Sequence, residues 1–239
     1  MRVNSVISKM KADQMAYGGY LSFPSSTIVE FLGLAGFDFV MFDGEHGPFT
    51  PLDFDDLCRF ADMAGLTPMA RIPNIEDSTI LRVLDRGVMG IMGPHITTGE
   101  RARQLADACR YVPLGRRSFG SARGAYFGDF PSGPEYMEHT NANVLVIAQL
   151  EDVEVLDNIH DILSVDGIDL FASGAQDIAQ SMGLPGQPTH AKVKDFEARV
   201  REEVHAAGKK MFDEVGTMAR ISDMFLKSFK DFIATHRGS

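Results

Sequence analysis

Short apolar runs alternate along the chain with stretches in which apolar residues recur at helical spacing. The runs predict β-strands, and the stretches predict amphipathic helices that pack against a sheet. Eight strands are predicted, at 16–22, 38–43, 67–72, 90–94, 144–151, 167–173, 209–213 and 229–235. Helices are predicted between them, at 26–35, 53–64, 77–86, 99–110, 152–163, 191–207 and 216–226.

Regular alternation of strand and helix predicts a parallel sheet. Eight such units within 239 residues fit an α/β fold of the (β/α)8 TIM-barrel type, with residues 1–239 forming a single domain. The alternative, an open doubly wound sheet, usually carries a glycine-rich loop after its first strand. Here the first predicted strand is followed by Phe23-Pro24-Ser25-Ser26, which favours the barrel.

Two parts of the chain interrupt this pattern. The segment 113–143 is predicted as an insertion between the fourth helix and the fifth strand, and loops of this length usually serve a function or move. The chain also ends about four residues after the eighth predicted strand. We therefore expect the barrel to lack its final C-terminal helix.

Charge and composition narrow the class of protein. The formal net charge is −10, whereas a surface that binds nucleic acid or an anionic membrane needs basic patches, so neither partner is expected. Two cysteines are too few for a disulfide framework. No apolar run is long enough to span a membrane, and the first residues are polar where a signal peptide is apolar. A cytoplasmic protein is expected.

Polar residues cluster where predicted strands end, which is where the active sites of such barrels lie. The second strand runs directly into Asp43, Glu45 and His46, and the third ends at Arg71. An acid, a second acid and an imidazole after an apolar strand are hard to explain by packing. Arg71 would be a fixed cation facing an oxyanion, although a structural ion pair is the alternative.

The fifth and sixth predicted strands add further polar groups. Alternation along the fifth strand places Gln149 and Glu151 on one face, and Asp177 follows the sixth strand. The alternatives are a solvated strand end for Glu151 and a helix cap for Asp177. Two carboxylates from adjacent strands, without a nearby cysteine, suit a hard divalent ion such as Mg²⁺ or Mn²⁺.

Lysine positions bear on the type of chemistry. A Schiff-base mechanism needs an amine at the active-site end of the barrel. No lysine lies at the C-terminal end of a predicted strand; the lysines are Lys9, Lys11, Lys192, Lys194, Lys209, Lys210, Lys227 and Lys230. Carbonyl chemistry in this barrel is therefore expected to use a metal rather than a Schiff-base lysine.

Several spaced motifs resemble those of the HpcH/HpaI aldolase family, which consists of metal-dependent class II pyruvate aldolases related to phosphoenolpyruvate- and pyruvate-binding barrels. The resemblance covers roughly residues 5–215. The motifs are Gly36-Phe37-Asp38-Phe39, Asp43-Gly44-Glu45-His46-Gly47-Pro48, Arg71-Ile72-Pro73, Gln149-Leu150-Glu151 and Gly174-Ala175-Gln176-Asp177.

The resemblance implies roles for these residues. Glu151 and Asp177 match the metal ligands, and Arg71 matches the arginine that contacts the keto oxygen of a 2-oxo acid. His46, with Asp43 behind it, matches the acid/base histidine. The remaining matches are Gln149, Ser173, Gly174, Gln176 and Asp177 around the bound oxo acid, and Asp85, an acid that family members lend to a neighbouring subunit's site. A homo-oligomer is expected on the same ground.

The sequence also departs from the family pattern. The usual Gly-Pro-x-Asp-Leu-Ser motif carries Ala175, Ile178 and Ala179 in place of Pro, Leu and Ser. Ser173 replaces an aliphatic residue, and His95 follows the fourth strand where a more apolar residue is usual. These changes leave the implied metal ligands intact and alter the pocket, so the motifs do not identify the acceptor substrate.

Three functions are compatible with these observations. The first is an aldolase or carbon–carbon lyase that forms or cleaves aldols of pyruvate or a related 2-oxo acid with an aldehyde, through a metal-stabilised enolate. The second is a citrate synthase of a siderophore pathway, which condenses oxaloacetate with acetyl-CoA on the same metal. Arg116, Arg117 and Arg123 of the insertion could then contact CoA phosphates, with an ordinary surface loop as the alternative. The third is a non-catalytic barrel that binds an oxo acid.

Overall fold

Seven parallel strands form one curled sheet in the computed structural model, which describes residues 1–237. The last two residues of the predicted domain lie outside the described residues. The strand order is β6-β5-β4-β3-β2-β1-β7. The strands are β1 (Ala16–Leu21), β2 (Phe39–Asp43), β3 (Thr67–Arg71), β4 (Gly90–Gly93), β5 (Leu145–Gln149), β6 (Leu170–Ala172) and β7 (Gly216–Arg220).

Helices follow most strands and cover the outer face of the sheet. They are α1 (Ser5–Lys11), α2 (Ser26–Leu34), α3 (Pro51–Met63), α4 (Asp77–Asp85), α5 (Gly99–Cys109), α6 (Gly133–Asn143), α7 (Ile159–Leu163), α8 (Ala175–Ser181), α9 (Ala191–Ala206) and α10 (Ile221–His236). Short 3-10 helices span Arg123–Gly128, Val153–Asp157 and Phe212–Glu214. Among described residues 1–237, no helix is both long and apolar enough to cross a membrane.

Residue alternation within each strand divides the core in two. Phe39 and Met41 of β2 belong to a cluster inside the curl of the sheet, whereas Val40 and Phe42 pack beneath the helices. Side chains at alternate strand positions point to opposite faces, so this parity fixes which residues face inward. The last inward-facing positions of β2, β3 and β5 are Asp43, Arg71 and Gln149, all at the carboxyl end of the sheet.

The expected closed barrel of eight strands is only partly confirmed. The fold is α/β and resembles a TIM barrel, but the hydrogen-bonded sheet is not closed. The predicted strand 209–213 contributes a single parallel bridge, between Phe171 and Met211. It then turns into a 3-10 helix at Phe212–Glu214, because Glu214 Oε2 accepts a hydrogen bond from the Met211 N–H at 2.9 Å.

The predicted ending of the chain is wrong in two respects. Residues 216–226 were expected as a helix, but Gly216–Arg220 form β7, which pairs in parallel with β1. The predicted strand 229–235 lies inside α10, so the expected absence of a final helix is also wrong. The apolar residues of this segment follow helical spacing, with the rings of Phe225 and Phe229 stacked one turn apart.

The segment 113–143 is more ordered than a long loop. It contains the 3-10 helix Arg123–Gly128 and all of α6. Ser132 caps the start of α6, because its hydroxyl oxygen accepts from the Glu135 N–H. Tyr111, Ala125 and Tyr136 form a small separate core beneath it. Packing of this kind holds the segment against the outside of the sheet and its helices.

Candidate functional site

A cavity of about 630 Å³ opens at the carboxyl ends of the strands. Residues from β1, β3, β5 and β7 line it, together with the turn between β6 and α8. Parallel strands bring their carboxyl ends to one edge, which is where ligands bind in barrels of this type. The cavity is therefore the candidate active site.

Arg71 forms the centre of one side of the cavity. Its Nε donates to Asp43 Oδ1 at 2.9 Å, and its Nη2 donates to the Tyr20 hydroxyl oxygen at 2.7 Å. Its Nη1 lies 3.1 Å from Glu45 Oε2. A planar guanidinium held by three groups has a fixed direction, so Arg71 presents a positioned cation to the cavity.

The same contacts shift the acidities of the partners of Arg71. Burial would raise the pKa of Asp43, but hydrogen bonds from Tyr20 and Arg71 outweigh it and hold the pKa below its ordinary value. Burial, together with the hydrogen bond to Asp43, raises the pKa of the Tyr20 hydroxyl. At neutral pH Asp43 is therefore a carboxylate and Tyr20 a neutral hydroxyl.

Acidic residues gather around Glu151, which is only 2% exposed. Gln149 Nε2 donates to Glu151 Oε2 at 2.9 Å, and the His95 backbone N–H donates to Glu151 Oε1 at 3.0 Å. Potential ligand atoms of Glu45, His95 and Glu151 all lie within 4.8 Å of one another. Burial raises the pKa of Glu151 above its ordinary value. His95 acts in the opposite direction, and the nearby acids Asp177 and Glu45 raise the pKa further.

Asp177 approaches the same point from the start of α8. A Cβ atom added to Gly174 would lie 2.7 Å from Glu151 Oε2 and 3.5 Å from Asp177 Oδ2. A side chain at position 174 would thus occupy the space between the two carboxylates. The glycine keeps that space open, and the two predicted ligands flank it.

The donor set fits a hard divalent cation. Carboxylate oxygens are the ligands that Mg²⁺ and Mn²⁺ prefer, and a bound cation would offset the repulsion between buried carboxylates. Gln149 Oε1 is buried without a hydrogen-bond partner among the described residues. An unpaired buried oxygen beside crowded carboxylates is expected where a ligand supplies the missing contact.

His46, Ser173 and Gln176 also line the cavity. Asp43 Oδ1 accepts from the His46 backbone N–H at 3.3 Å and so holds the loop after β2 in place. The Ser173 hydroxyl donates to Glu197 Oε1 of α9 at 3.0 Å.

The structure does not bring the arginines of the insertion to this cavity. Each is paired with an acid of the helices outside the sheet. Arg116 pairs with Asp77, Arg117 with Asp85 at 3.0 Å, and Arg123 with Asp62. Asp85, the expected contribution to a neighbouring subunit, is thus bound within its own chain.

Four residues in or beside the cavity received no role from the sequence. Tyr20 and Arg220 are opposite each other in the β1–β7 register, and Glu45 and His95 lie beside Glu151. Strand parity identifies Tyr20 once β1 is placed. His95 stood out only as a departure from the family pattern, and its φ of 52° is a strained value that directs its N–H toward Glu151.

Comparison with known proteins identifies the family. The model of the HpcH/HpaI aldolase/citrate lyase family matches residues 17–236. The chain belongs to this family. The resemblance of its motifs is confirmed, and so is the prediction of an aldolase-type carbon–carbon lyase.

Relatives and solved structures of the HpcH/HpaI family cover nearly the whole chain. A 4-hydroxy-2-oxovalerate aldolase of Novosphingobium aromaticivorans is 33% identical over 87% of this chain and 78% of its own length. A hydroxypyruvate/pyruvate aldolase of Rhizorhabdus wittichii is 34% identical over 92% and 87%. A family structure from Burkholderia cenocepacia has a TM-score of 0.89 at 27% identity over 98% and 100%. The citrate synthase SbnG has a TM-score of 0.86 at 27% identity over 98% of each chain.

Proposed function

We propose that the protein is a divalent-metal-dependent aldolase that forms or cleaves aldols of pyruvate or another 2-oxo acid. The observation that carries the proposal is the grouping of Glu45, His95 and Glu151 beside Arg71, whose Nη1 lies 3.1 Å from Glu45 Oε2. Family members named as aldolases of 2-oxo acids support it. No lysine is among the described residues that line the cavity, in keeping with a metal mechanism.

The chain's own groups would divide the work between the carboxylates and Arg71. Glu151 and Asp177 would hold the cation, Mg²⁺ or Mn²⁺, with Glu45 and His95 beside them. When bound, that cation would polarise the keto oxygen of the 2-oxo acid. Arg71 would oppose the negative charge that develops on the same oxygen, because Asp43 and Tyr20 keep its guanidinium in place.

Substrate placement and proton transfer fall to neighbouring residues. Gln149, Gly174 and Gln176 would surround the oxo acid, with its carboxylate near the backbone at 176 and 177. His46, at the exposed mouth of the cavity, would move the proton on or off the hydroxyl of the aldol. An imidazole titrates close to neutral pH, which suits it to this role.

Metal binding by variants provides the test. Mn²⁺ affinity measured by calorimetry should fall by more than about 10-fold in Glu151→Gln and in Asp177→Asn, because each removes a charged oxygen ligand. Glu45→Gln and His95→Ala show whether those residues also bind the ion. Asp195→Asn, an equivalent change on the exposed surface of α9, is the control. Full aldolase activity after exhaustive chelation would exclude the proposal.

The citrate synthase remains a second candidate because SbnG superposes on 98% of the chain. The arginines 116, 117 and 123 give it little support, since a CoA phosphate would have to displace Asp77, Asp85 or Asp62. Release of CoA from acetyl-CoA and oxaloacetate, faster than any reaction of pyruvate with aldehydes, would favour this candidate. Absence of turnover in both assays would favour a binding protein.

A further inference from the structure

His95 lies in the turn after β4 and brings an imidazole ring to the carboxylates of the proposed metal site. Its Nδ1 lies 3.6 Å from Glu151 Oε1, and its Nε2 lies 3.9 Å from Glu45 Oε1. Two atoms that each bind one ion at about 2.1 Å are at most about 4.2 Å apart. Both distances meet this limit, so the ring is within reach of an ion bound at these carboxylates.

The backbone on both sides of His95 is fixed in place. The His95 N–H donates to Glu151 Oε1 at 3.0 Å, and its carbonyl oxygen accepts from Arg101 Nε at 2.8 Å. The N–H of the buried Ile96 donates to the Gln149 carbonyl oxygen at 3.0 Å. The φ of His95 is 52°, and left-handed backbone of this kind in a residue other than glycine is concentrated at functional sites. Packing does not explain it, because the side chain is 51% exposed.

The charges in this region leave two carboxylates without a fixed cation. Arg71 is paired with Glu45 at 3.1 Å. Among residues 1–237, neither Glu151 nor Asp177 forms an ion pair with an arginine or a lysine. The side-chain oxygen of Gln149, which is 5% exposed and hydrogen-bonded to Glu151 through its Nε2, is also without a partner among these residues. One half-exposed imidazole does not balance both carboxylates, so the group suits a divalent cation with the imidazole as a further ligand.

We propose that His95 is a nitrogen ligand of the metal ion and raises the affinity of the site for Co²⁺ relative to Mg²⁺. The inference rests on the proposed function as a metal-dependent aldolase. Imidazole is a good ligand for first-row transition ions, whereas Mg²⁺ prefers oxygen ligands and keeps several of its waters. His95 is one of the positions at which the sequence departs from the family pattern, so the ligand is a property of this chain rather than of the family at large.

Pulsed electron paramagnetic resonance of the Mn²⁺-loaded protein tests for the ligand directly. A bound imidazole couples its nitrogen nuclei to the electron spins of Mn²⁺, so the wild-type spectrum should contain nitrogen modulation that changes when histidine is labelled with ¹⁵N. The modulation should disappear in His95→Asn, since asparagine tolerates left-handed backbone and removes the imidazole. His160→Asn, which removes an exposed histidine of α7, should leave the spectrum unchanged. Modulation that persists in His95→Asn, or is absent from the wild type, would overturn the role of His95.

Calorimetric titration with two ions separates a ligand from a structural role. His95→Asn should weaken the binding of Co²⁺ by at least about 10-fold, because it removes a nitrogen ligand that this ion favours. The binding of Mg²⁺ should weaken by less than about 3-fold, since this ion depends on the carboxylates. His160→Asn should change neither affinity. Equal losses for the two ions would show that His95 acts through its backbone hydrogen bond to Glu151, and would overturn the proposal.

Failure of this inference is distinct from failure of the proposed function. If Glu151→Gln weakens the binding of both ions and His95→Asn weakens neither, the metal site stands and the role of His95 alone is overturned. A wild-type protein that binds neither Co²⁺ nor Mg²⁺, or whose binding is unaffected by Glu151→Gln, would overturn both proposals.

Discussion

At the scale of single residues, the site depends on how firmly Arg71 is held. Three groups fix its guanidinium, so its charge needs little reorganisation during a reaction. We expect Arg71→Ala to lower kcat by about 10²–10³, the usual loss for one oxyanion donor, with a smaller change in KM. Steady-state kinetics with pyruvate and an aldehyde measure this, and circular dichroism checks the fold. A kcat near the wild-type value would remove Arg71 from the mechanism.

The lowered pKa of Asp43 makes a prediction about acid stability. A carboxyl whose pKa is lower in the folded state stabilises the fold at pH values above its unfolded pKa, and loses this contribution as the pH falls through the folded value. Asp43→Asn should therefore lower the free energy of unfolding by about 3 kcal/mol at pH 7, the usual loss when one partner of a buried ion pair is removed. The difference in unfolding free energy between the wild type and Asp43→Asn should become smaller below about pH 4. Urea unfolding of both proteins between pH 3 and pH 7 measures this difference. A difference that does not change with pH would contradict the lowered pKa of Asp43.

Part of the site could be predicted because parallel strands end at one edge. Asp43, Arg71 and Gln149 occupy the last inward positions of their strands, and local alternation is enough to place them. Tyr20 looks like an ordinary strand residue, and its importance depends on Arg71 from a distant part of the chain. The position of Arg220 at the cavity could not be predicted, because the sequence pattern predicts a helix where the structure has β7.

At the scale of elements, the close packing of β1 against β2 depends on glycine. A Cβ atom on Gly18 would overlap the ring of Phe39 inside the sheet. We expect Gly18→Ala to destabilise the fold by about 1–3 kcal/mol, the usual cost of overpacking a core. Gly120→Ala is the control, since its Cβ atom would meet nothing within 4 Å. Equal urea midpoints for the two variants would contradict this account.

Elements with strong local signals were predicted well, and those that depend on distant pairing were not. Helix α3 begins at Pro51 because Thr50 and Asp53 form a capping box, which the sequence displays. Strand β7 has five residues and obtains its hydrogen bonds from β1, 200 positions earlier. The apolar residues after it fit a strand as well as a helix over short windows. Nothing local shows which surface the 113–143 segment crosses.

At the scale of the whole molecule, α10 carries an apolar surface that its own chain leaves open. The exposed large residues on this helix are Met224, Phe225, Leu226, Phe229, Phe232 and Ile233. Lys227, Lys230 and Asp231 provide its polar side. Exposed apolar patches of this kind mark contact surfaces, so the expected homo-oligomer stays a prediction with a specific location.

Light scattering after size-exclusion chromatography can test this location. Phe229→Asp should shift the protein toward smaller species while leaving its circular dichroism unchanged, because a charge at an apolar interface is costly to bury. Ala234→Asp introduces the same charge on the other side of α10 and should have a weaker effect. A monomeric wild-type protein would show that α10 does not join copies of the chain under these conditions.

The interruption between β6 and β7 also affects the risk of aggregation. A closed barrel has no free strand edges, whereas this sheet has two, and free edges are templates for pairing with other chains. One edge is only three residues long, and its Phe171 N–H donates to the Lys210 carbonyl oxygen at 3.2 Å. The turn that covers this gap is anchored by Glu214, which contacts Arg201 and His205 at the surface. Met211 and Phe212 of the same turn are buried, so resistance to edge-to-edge association depends on the packed interior as well as on these exposed contacts, and screening of surface charge removes only part of it.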